Sequence, residues 1–335
     1  NGYQVCRRLR ESYSLSQLPV IMLTAKNQVE DLLEGYEAGA NDYLPKPFNK
    51  KELIARMRTL LEVRRMNDSI SRFVPFDLLR TLGKDSIADI QLGDQVKREM
   101  PVLLSDIRGF STLAEGLTPE ENFELLSEVI RIIAPVIREH AGFIDKFMGD
   151  AVMALFPGRA EDAVQAAITM KHMLEGFNRY RHQEKLPTIS FGTGVHTGDV
   201  VLGILGEPNR VDGTVISDAV NVASRLEGLC KVYGASLVVS ADTVARLAEP
   251  NRYQYRFLDS VRVHGREKPV SVFDFFEGDA LEVVQTRIAT QDSFEQGLQR
   301  YHVREFAGSV ALFREVLEQN PNDRAARLYL QKASY

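Results

Sequence analysis

The sequence predicts a mixed α/β (α+β) protein whose main sheet carries helices on one face. Short apolar runs, partly β-branched and bounded by glycine or proline, indicate buried strands between residues 100 and 278. They alternate with longer amphipathic segments in the order βαββαβ, which is typical of a mixed or antiparallel sheet. With 335 residues, the chain is long enough for two or three structural units.

The first helix of this region has a clear start signal. Thr118 precedes Pro119 and is followed by Glu121, so a capping box with proline at the first helical position is expected. We expect this helix to run to about His140 and to stop at Gly142. The later elements are expected as two strands joined by a Met-Gly-Asp turn, a helix over 161–181, and strands over 189–196 and 200–205 that a turn at 197–199 separates.

The composition excludes several classes of protein. Hydrophobic residues make up 44% and charged residues 26%, which is the balance of a soluble globular chain. A net charge of −5 does not indicate nucleic acid or an anionic membrane surface as a partner. With only Cys6 and Cys230, a reducing cytoplasm is the expected setting. The apolar run 129–137 contains Arg131 and is too short for a membrane span, and no secretion leader is seen.

For residues 1–62, the sequence predicts the order helix, strand, helix, strand, helix. The runs around Thr24 (Leu-Thr-Ala-Lys) and Tyr43 (Tyr-Leu-Pro-Lys-Pro-Phe) resemble the C-terminal half of a response-regulator receiver domain, which has a flavodoxin-like fold. The resemblance implies that Thr24 is the switch hydroxyl, Tyr43 the switch aromatic and Lys46 the partner of the phosphoryl group. The alternative is a small αβ unit without signalling ancestry.

The phosphoacceptor aspartate of such a receiver would lie before Asn1, so we interpret the chain as part of a longer parent. A histidine kinase would be the phosphodonor of the complete receiver. Residues 63–99, interrupted by Pro75, Gly83 and Gly93, are expected to form a linker. This linker either passes a signal to the next domain or is only a spacer.

Two carboxylates, Asp106 and Asp150, each stand at the end of an apolar strand. A buried carboxylate is costly unless it is paired or bound to a metal. Two hard oxygen ligands suit Mg²⁺ or Mn²⁺, and a phosphate substrate would complete the coordination. The alternative is that both are ordinary turn residues, because Met-Gly-Asp is also a plausible hairpin turn.

Four segments strengthen the metal interpretation. Together they resemble the catalytic domain of class III nucleotidyl cyclases, in particular bacterial adenylyl cyclases of the cyanobacterial type. The resemblance covers residues 100–278 and implies a ferredoxin-like βαββαβ core. The segments are 104–110, 145–150, 194–203 and 220–227.

The resemblance implies roles for the polar residues of these segments. Asp106 and Asp150 would bind two Mg²⁺ (or Mn²⁺) ions, with the Ile107 carbonyl as a further ligand. Asn221 would orient the ribose, and Arg225, one helical turn later, would stabilise charge on the α-phosphate. In-line attack of O3′ on the α-phosphorus would give a 3′,5′-cyclic nucleotide and pyrophosphate; the sequence does not identify the proton acceptor. The alternative is that Asn221 and Arg225 are surface residues of an amphipathic helix.

The choice of base depends on Lys146 and Thr214. Lys146 only donates hydrogen bonds, so it can serve N1 of adenine but not the N1–H of guanine. Thr214, at the family's second purine-reading position, can accept from the adenine amine, so ATP is the expected substrate. Gly109 and Phe110 are also expected to contact the substrate. A guanylyl or dual-specificity cyclase and an inactive, nucleotide-binding scaffold remain as alternatives.

In this family the metal-binding aspartates and the base- and ribose-binding residues of one site come from two subunits. A head-to-tail homodimer with two equivalent sites is therefore expected. Two positions depart from the family pattern. Ser217 replaces a common glycine, and the phosphate-binding lysine is replaced by Arg266 or one of its neighbours, His264 and Lys268.

Residues 290–335 are expected to be helical. Apolar residues recur at helical spacing over 294–301 and 306–317, and a third helix is expected to begin near Asn320. This part resembles one tetratricopeptide repeat with a capping helix. Because one repeat rarely stands alone, we expect it to dock on its neighbours or to bind a protein partner.

Overall fold

A computed structural model describes residues 1–25, 29–70, 75–84, 87–207, 210–262 and 269–334. The chain divides into two compact units. One holds residues 1–94 and 204–213, and the other holds residues 95–203 and those from 214 onward. Among the helices in the described part of the chain, none has both the length and the apolar character needed to cross a bilayer.

The first unit contains the predicted alternation of helices and strands. Its strands pair in parallel with Met22 opposite Tyr43, and the Lys46 amide donates to the Thr24 carbonyl over 2.6 Å. The predicted switch hydroxyl and phosphoryl partner are therefore neighbours. The elements are α1 (Gly2–Arg10), β1 (Ile21–Thr24), α2 (Val29–Glu37), β2 (Asp42–Pro45), α3 (Lys50–Ile70) and α4 (Phe76–Thr81).

The second unit is built on the large sheet, in the order β4-β5-β3-β6-β8-β10-β9, with β7 paired to β6. Its first part contains β3 (Gln95–Ile107), α5 (Phe110–Ala114), α6 (Pro119–Glu139), β4 (Phe143–Met148), β5 (Ala151–Leu155) and α7 (Ala160–Gln183). The chain continues with β6 (Phe191–Glu207), β7 (Arg210–Ile216), α8 (Asp218–Tyr233), β8 (Leu237–Ser240), α9 (Ala241–Val244), β9 (Tyr255–Val261) and β10 (Val270–Phe275). The end of β6 and the start of β7, within residues 204–213, belong to the first unit.

The strands β4-β5-β3-β6 and the helices α6 and α7 form the ferredoxin-like βαββαβ core, which confirms the predicted fold class. The predicted capping box is present, since Thr118 accepts from the Glu121 amide and Glu121 accepts from the Thr118 amide. The residues Leu103, Val195 and Val239 pack with α6 and α7 on one face of the sheet.

The prediction of helices on one face is incomplete, because α8 covers the other face. Val238, the neighbour of Val239 along β8, packs with Val222 and Leu226 of α8. Successive side chains of a strand point to opposite faces. All four residues of β8 are buried, so both faces of this part of the sheet need a cover.

The turn predicted at residues 197–199 is absent. The described residues Phe191–Glu207 form one continuous strand, paired antiparallel with β3 from Phe191 opposite Ile107 to Gly203 opposite Gln95. A side chain at Gly198 would press on Ala219 of α8. The sequence alone suggested that this glycine belongs to a turn. In the structure, it allows α8 to pack closely against the strand.

The C-terminal helices pack on the large sheet. Phe294, Phe313 and Tyr329 are buried together with Leu258 of β9, and the Tyr329 hydroxyl donates to the Leu258 carbonyl over 2.9 Å. The predicted helical character is observed, while the tetratricopeptide-like character stays a prediction. The helices are α10 (Leu281–His302), α11 (Phe306–Gln319) and α12 (Arg324–Ser334).

Candidate active site

Strand pairing brings the two predicted carboxylates together. The antiparallel register sets Ser105 of β3 opposite Val152 of β5, so Asp106 and Asp150 lie at the same end of neighbouring strands. Asp150 follows Gly149 in the turn between β4 and β5, and Gly149 has a left-handed φ of 67°. The interpretation of Met-Gly-Asp as a hairpin turn is thus compatible with the interpretation of Asp150 as a metal ligand, because the turn places this carboxylate beside Asp106.

One cavity of about 1090 Å³ is lined by five of the predicted site residues. Gly109 has a φ of 67° and open space where a side chain would begin, so its glycine serves the backbone conformation that starts α5. The five residues are Asp106, Ile107, Gly109, Phe110 and Asp150.

The electrostatics of this cavity favour a cation. The pKa of Asp106 is raised to about 7, first by burial and then by the hydrogen bond to Asp150 and its charge. Asp106 Oδ1 is buried and has no hydrogen-bond partner among the described residues. Two adjacent carboxylates with an unpaired buried oxygen are stabilised when a cation binds between them.

The donor set fits Mg²⁺ or Mn²⁺. Within the described ranges, no cluster of three or more His, Cys, Asp or Glu side chains could hold a metal ion. The site provides the two carboxylates, and Ile107, the predicted carbonyl ligand, lines the same cavity. Mg²⁺ is commonly bound by one or two carboxylates, with water and substrate phosphates as its other ligands.

The other predicted residues lie elsewhere. Asn221 and Arg225 are exposed on one face of α8, whereas Val222 and Leu226 on the opposite face are buried. Ser217, where the resemblance leads us to expect glycine, caps this helix by accepting from the Ala219 amide over 2.8 Å. Its φ of −167° is an extended conformation that any residue adopts.

The two predicted base readers are half-buried. Lys146 lies on β4 with Nζ 3.4 Å from Asp145 Oδ2, and Thr214 lies on β7. Of the four described residues Lys146, Thr214, Asn221 and Arg225, none lines the cavity of the two aspartates. The predicted phosphate-binding Arg266, with His264 and Lys268, lies outside the described residues.

The structure also contains an ion pair between Arg108 and Glu227, for which the sequence indicated no role. Arg108 Nη1 lies 3.0 Å from Glu227 Oε1, and Arg108 Nη2 donates to the Glu227 carbonyl over 2.8 Å. Both residues stand inside recognised segments, 104–110 and 220–227, but 119 positions separate them. In the sequence, only their opposite charges indicated that Arg108 and Glu227 could pair.

Lys171 also lines this cavity, and its ammonium group is bound to neighbouring side chains. Lys171 Nζ donates to Ser236 Oγ over 2.6 Å and contacts the Asp279 carboxylate. Burial, and then the charge of Arg287, lowers the pKa of Lys171 to about 8. This part of the cavity wall is therefore held together by its own polar contacts.

Comparison with known proteins shows the family to which this fold belongs. Residues 93–275 match the model of the adenylate and guanylate cyclase catalytic domain, and residues 1–58 match the response regulator receiver domain. The chain belongs to the adenylate and guanylate cyclase catalytic domain family. This confirms the predicted resemblance to the catalytic domain of class III nucleotidyl cyclases.

Individual relatives support the assignment. An adenylate cyclase of Anabaena cylindrica is 40% identical over 213 residues, covering 62% of this chain and 42% of the relative. The terminal-differentiation-specific adenylate cyclase of Dictyostelium discoideum is 29% identical over 284 residues, covering 82% of this chain and 13% of the relative. The chain thus spans less than half the length of these curated relatives.

A solved bacterial light-regulated adenylyl cyclase has the same fold. Its TM-score is 0.60 at 19% identity, and the match covers 85% of this chain and 93% of that structure. At this identity the likeness concerns the fold alone.

Proposed function

We propose that this chain is the catalytic part of an adenylyl cyclase that converts ATP to 3′,5′-cyclic AMP and pyrophosphate, controlled in the parent protein by its receiver domain. The proposal is carried by the placement of Asp106 and Asp150 side by side in a cavity of a cyclase-family fold. Two Mg²⁺ or Mn²⁺ ions bound there would help to ionise the ribose 3′-hydroxyl and neutralise the triphosphate.

The chain's own residues would select and orient ATP. Lys146 would donate to N1 of adenine, and the Thr214 hydroxyl would accept from the N6 amine. Asn221 would hold the ribose so that O3′ faces the α-phosphorus in line with the departing pyrophosphate. Arg225 would stabilise the charge on the α-phosphate as the new O3′–P bond forms and the bond to pyrophosphate breaks.

The product of the purified chain tests the choice of substrate. We expect cyclic AMP from ATP with Mg²⁺ or Mn²⁺, and little cyclic GMP when GTP competes at equal concentration. Separation of the nucleotides by chromatography measures both products in one reaction. Cyclic GMP as the main product would contradict the roles of Lys146 and Thr214, and no cyclic product with any combination would favour an inactive scaffold.

We also propose that two chains share each active site. Lys146, Thr214, Asn221 and Arg225 lie outside the cavity of their own chain, and Asn221 and Arg225 are exposed on α8. A two-fold symmetric pair of chains can bring α8 of one chain to the aspartates of the other, twice per dimer. The exposed polar face of α8 then has a catalytic purpose.

Mixing two inactive variants tests the shared site. When Asp106→Asn and Arg225→Ala chains are combined in equal amounts, about half of the dimers are mixed and each mixed dimer has one intact site. Activity should return to about a quarter of the wild-type value. The matched control mixes Asp106→Asn with Asp150→Asn, where both sites of every dimer stay damaged and activity should not return. Equal behaviour of the two mixtures would refute the shared site.

A further inference from the structure

We propose that Arg108 and Glu227 form a positioning pair that holds the metal-binding loop, defined as residues 106–110, against α8 and thereby sets its affinity for divalent metal. The inference rests on the proposed function, because it assumes that Asp106 binds the metal. Neither residue is proposed to touch the metal or the nucleotide. Each would act through Asp106 and Ile107.

The contacts of Arg108 fix the loop on two sides. Its guanidinium makes the two contacts with Glu227, one to the carboxylate and one to the backbone carbonyl. Its own amide donates to the Ser190 carbonyl over 2.8 Å. The side chains of Arg108 and Glu227 are only 23% and 12% exposed. A two-pronged, partly buried guanidinium contact restricts orientation better than a single one.

Two glycines of β6 make room for this arrangement. A side chain at Gly192 would collide with the Arg108 guanidinium, and one at Gly194 would collide with the backbone of α8 at Ala223 and Glu227. Residues two apart on a strand face the same side of the sheet. The loop and the helix therefore approach each other over a strip of strand that carries no side chain.

The two charges act on Asp106 in opposite directions. The negative charge of Glu227 raises the pKa of Asp106, and the positive charge of Arg108 lowers it. As a pair they contribute little net charge next to the carboxylate. What they provide to the metal site is then geometry rather than electrostatic attraction.

An electrostatic role and a positioning role of Arg108 predict opposite changes in metal affinity. If charge alone mattered, Arg108→Gln would remove a repelling cation and tighten metal binding. If position matters, the same change releases the loop and weakens binding, because the loss of supporting residues costs about 10- to 100-fold in metal affinity. The two accounts predict opposite results.

Binding of Mn²⁺ alone, measured by electron paramagnetic resonance of the unbound ion, distinguishes them. We expect about 10- to 100-fold weaker binding for Arg108→Gln and no change for the control Arg138→Gln, an equal change of charge at an exposed position of α6. In a Glu227→Gln background, Arg108→Gln should weaken binding less than it does in the wild type, because the ion pair is already lost while the contact to the backbone carbonyl at position 227 remains. Equal or tighter binding by Arg108→Gln would overturn the inference.

A second variant and the wild type separate the remaining outcomes. Arg108→Lys keeps the charge but loses one of the two contacts, so several-fold weaker binding is expected; wild-type affinity in a folded Arg108→Lys chain would overturn the inference even if Arg108→Gln fails to fold. Failure of the wild type to bind Mn²⁺ would instead overturn the metal site of the proposed function, and this inference with it. In active variants, the Mn²⁺ concentration for half-maximal rate should rise more than the KM for ATP.

Discussion

Replacing Asp106 with asparagine is expected to lower cyclic AMP formation by at least about 100-fold while leaving the fold intact. Loss of a residue that only supports a metal ligand costs about 10- to 100-fold, and loss of the ligand itself should cost more. Asparagine has nearly the same shape but only one neutral oxygen acceptor, so it binds a hard cation poorly.

The same substitution should not destabilise the chain when metal ions are removed with a chelator. The charge of Asp150 disfavours ionisation of Asp106, and Asp106 Oδ1 is buried without a hydrogen-bond partner among the described residues, so a neutral side chain relieves an unfavourable charge. We expect the unfolding temperature in chelator to equal or exceed that of the wild type. Added Mn²⁺ should then raise the unfolding temperature of the wild type but not that of the variant.

Product formation and thermal unfolding of Asp106→Asn are measured beside Glu124→Gln. Glu124 is an exposed carboxylate on α6, so its change neutralises the same charge away from the cavity. The control should keep wild-type activity and its response to Mn²⁺. Substantial activity in Asp106→Asn would contradict the metal role, and a large loss of stability in chelator would show that Asp106 is a structural residue.

The second large effect is expected in the C-terminal helices. Asp323→Ala should lower the free energy of unfolding by about 3–5 kcal/mol, because it leaves a buried guanidinium without its main partner. Arg256 and Asp323 are both 0% exposed, with Nη1 of Arg256 2.6 Å from Oδ2 of Asp323. Asp323 also accepts from the Ala326 amide and so caps α12.

After this change, Arg256 keeps a longer ionic contact and a contact with an aromatic ring. Its Nε lies 3.3 Å from Oδ2 of Asp274, and Asp274 is shared with Arg287. The guanidinium also lies over the Phe294 ring, 4.1 Å from its centre. The network links β9 and β10 to α10 and α12, so its disruption should loosen the C-terminal helices together with this part of the sheet.

Urea denaturation of Asp323→Ala and of Asp292→Ala measures the effect. Asp292 is exposed on α10, so its replacement removes an equal side chain without breaking a buried pair. Burial acts to raise the pKa of Asp323, but the Arg256 charge and hydrogen bonds more than offset it, and the pKa lies below its ordinary 3.8. The contribution of Asp323 is thus present above pH 3.8 and is lost as pH falls toward the lowered native pKa.

The difference in stability between the wild type and Asp323→Ala should therefore be smaller at strongly acidic pH and largest near neutrality. Two further results would be incompatible with this account. One is a similar loss in both variants, and the other is an undiminished difference between wild type and Asp323→Ala below the lowered pKa.

The sequence by itself determined the βαββαβ order, the capping box at Thr118 and the placement of Asp106 and Asp150 at strand ends. Each follows from a local pattern: the alternation of buried strands, the spacing of a capping residue and its glutamate, or a polar residue after an apolar run. The family resemblance added the expected roles of the site residues. A pattern within a few residues is enough for all of these.

Only the tertiary structure decided the rest, because the contacts concerned join residues far apart in the chain. Gly198 has the sequence character of a turn, yet it lies within β6 since α8 packs against it. Arg108 meets Glu227 and Arg256 meets Asp323 across 119 and 67 positions. The spacing of residues along the chain does not predict such pairs. Their formation depends on how the sheet packs against α8 and the C-terminal helices.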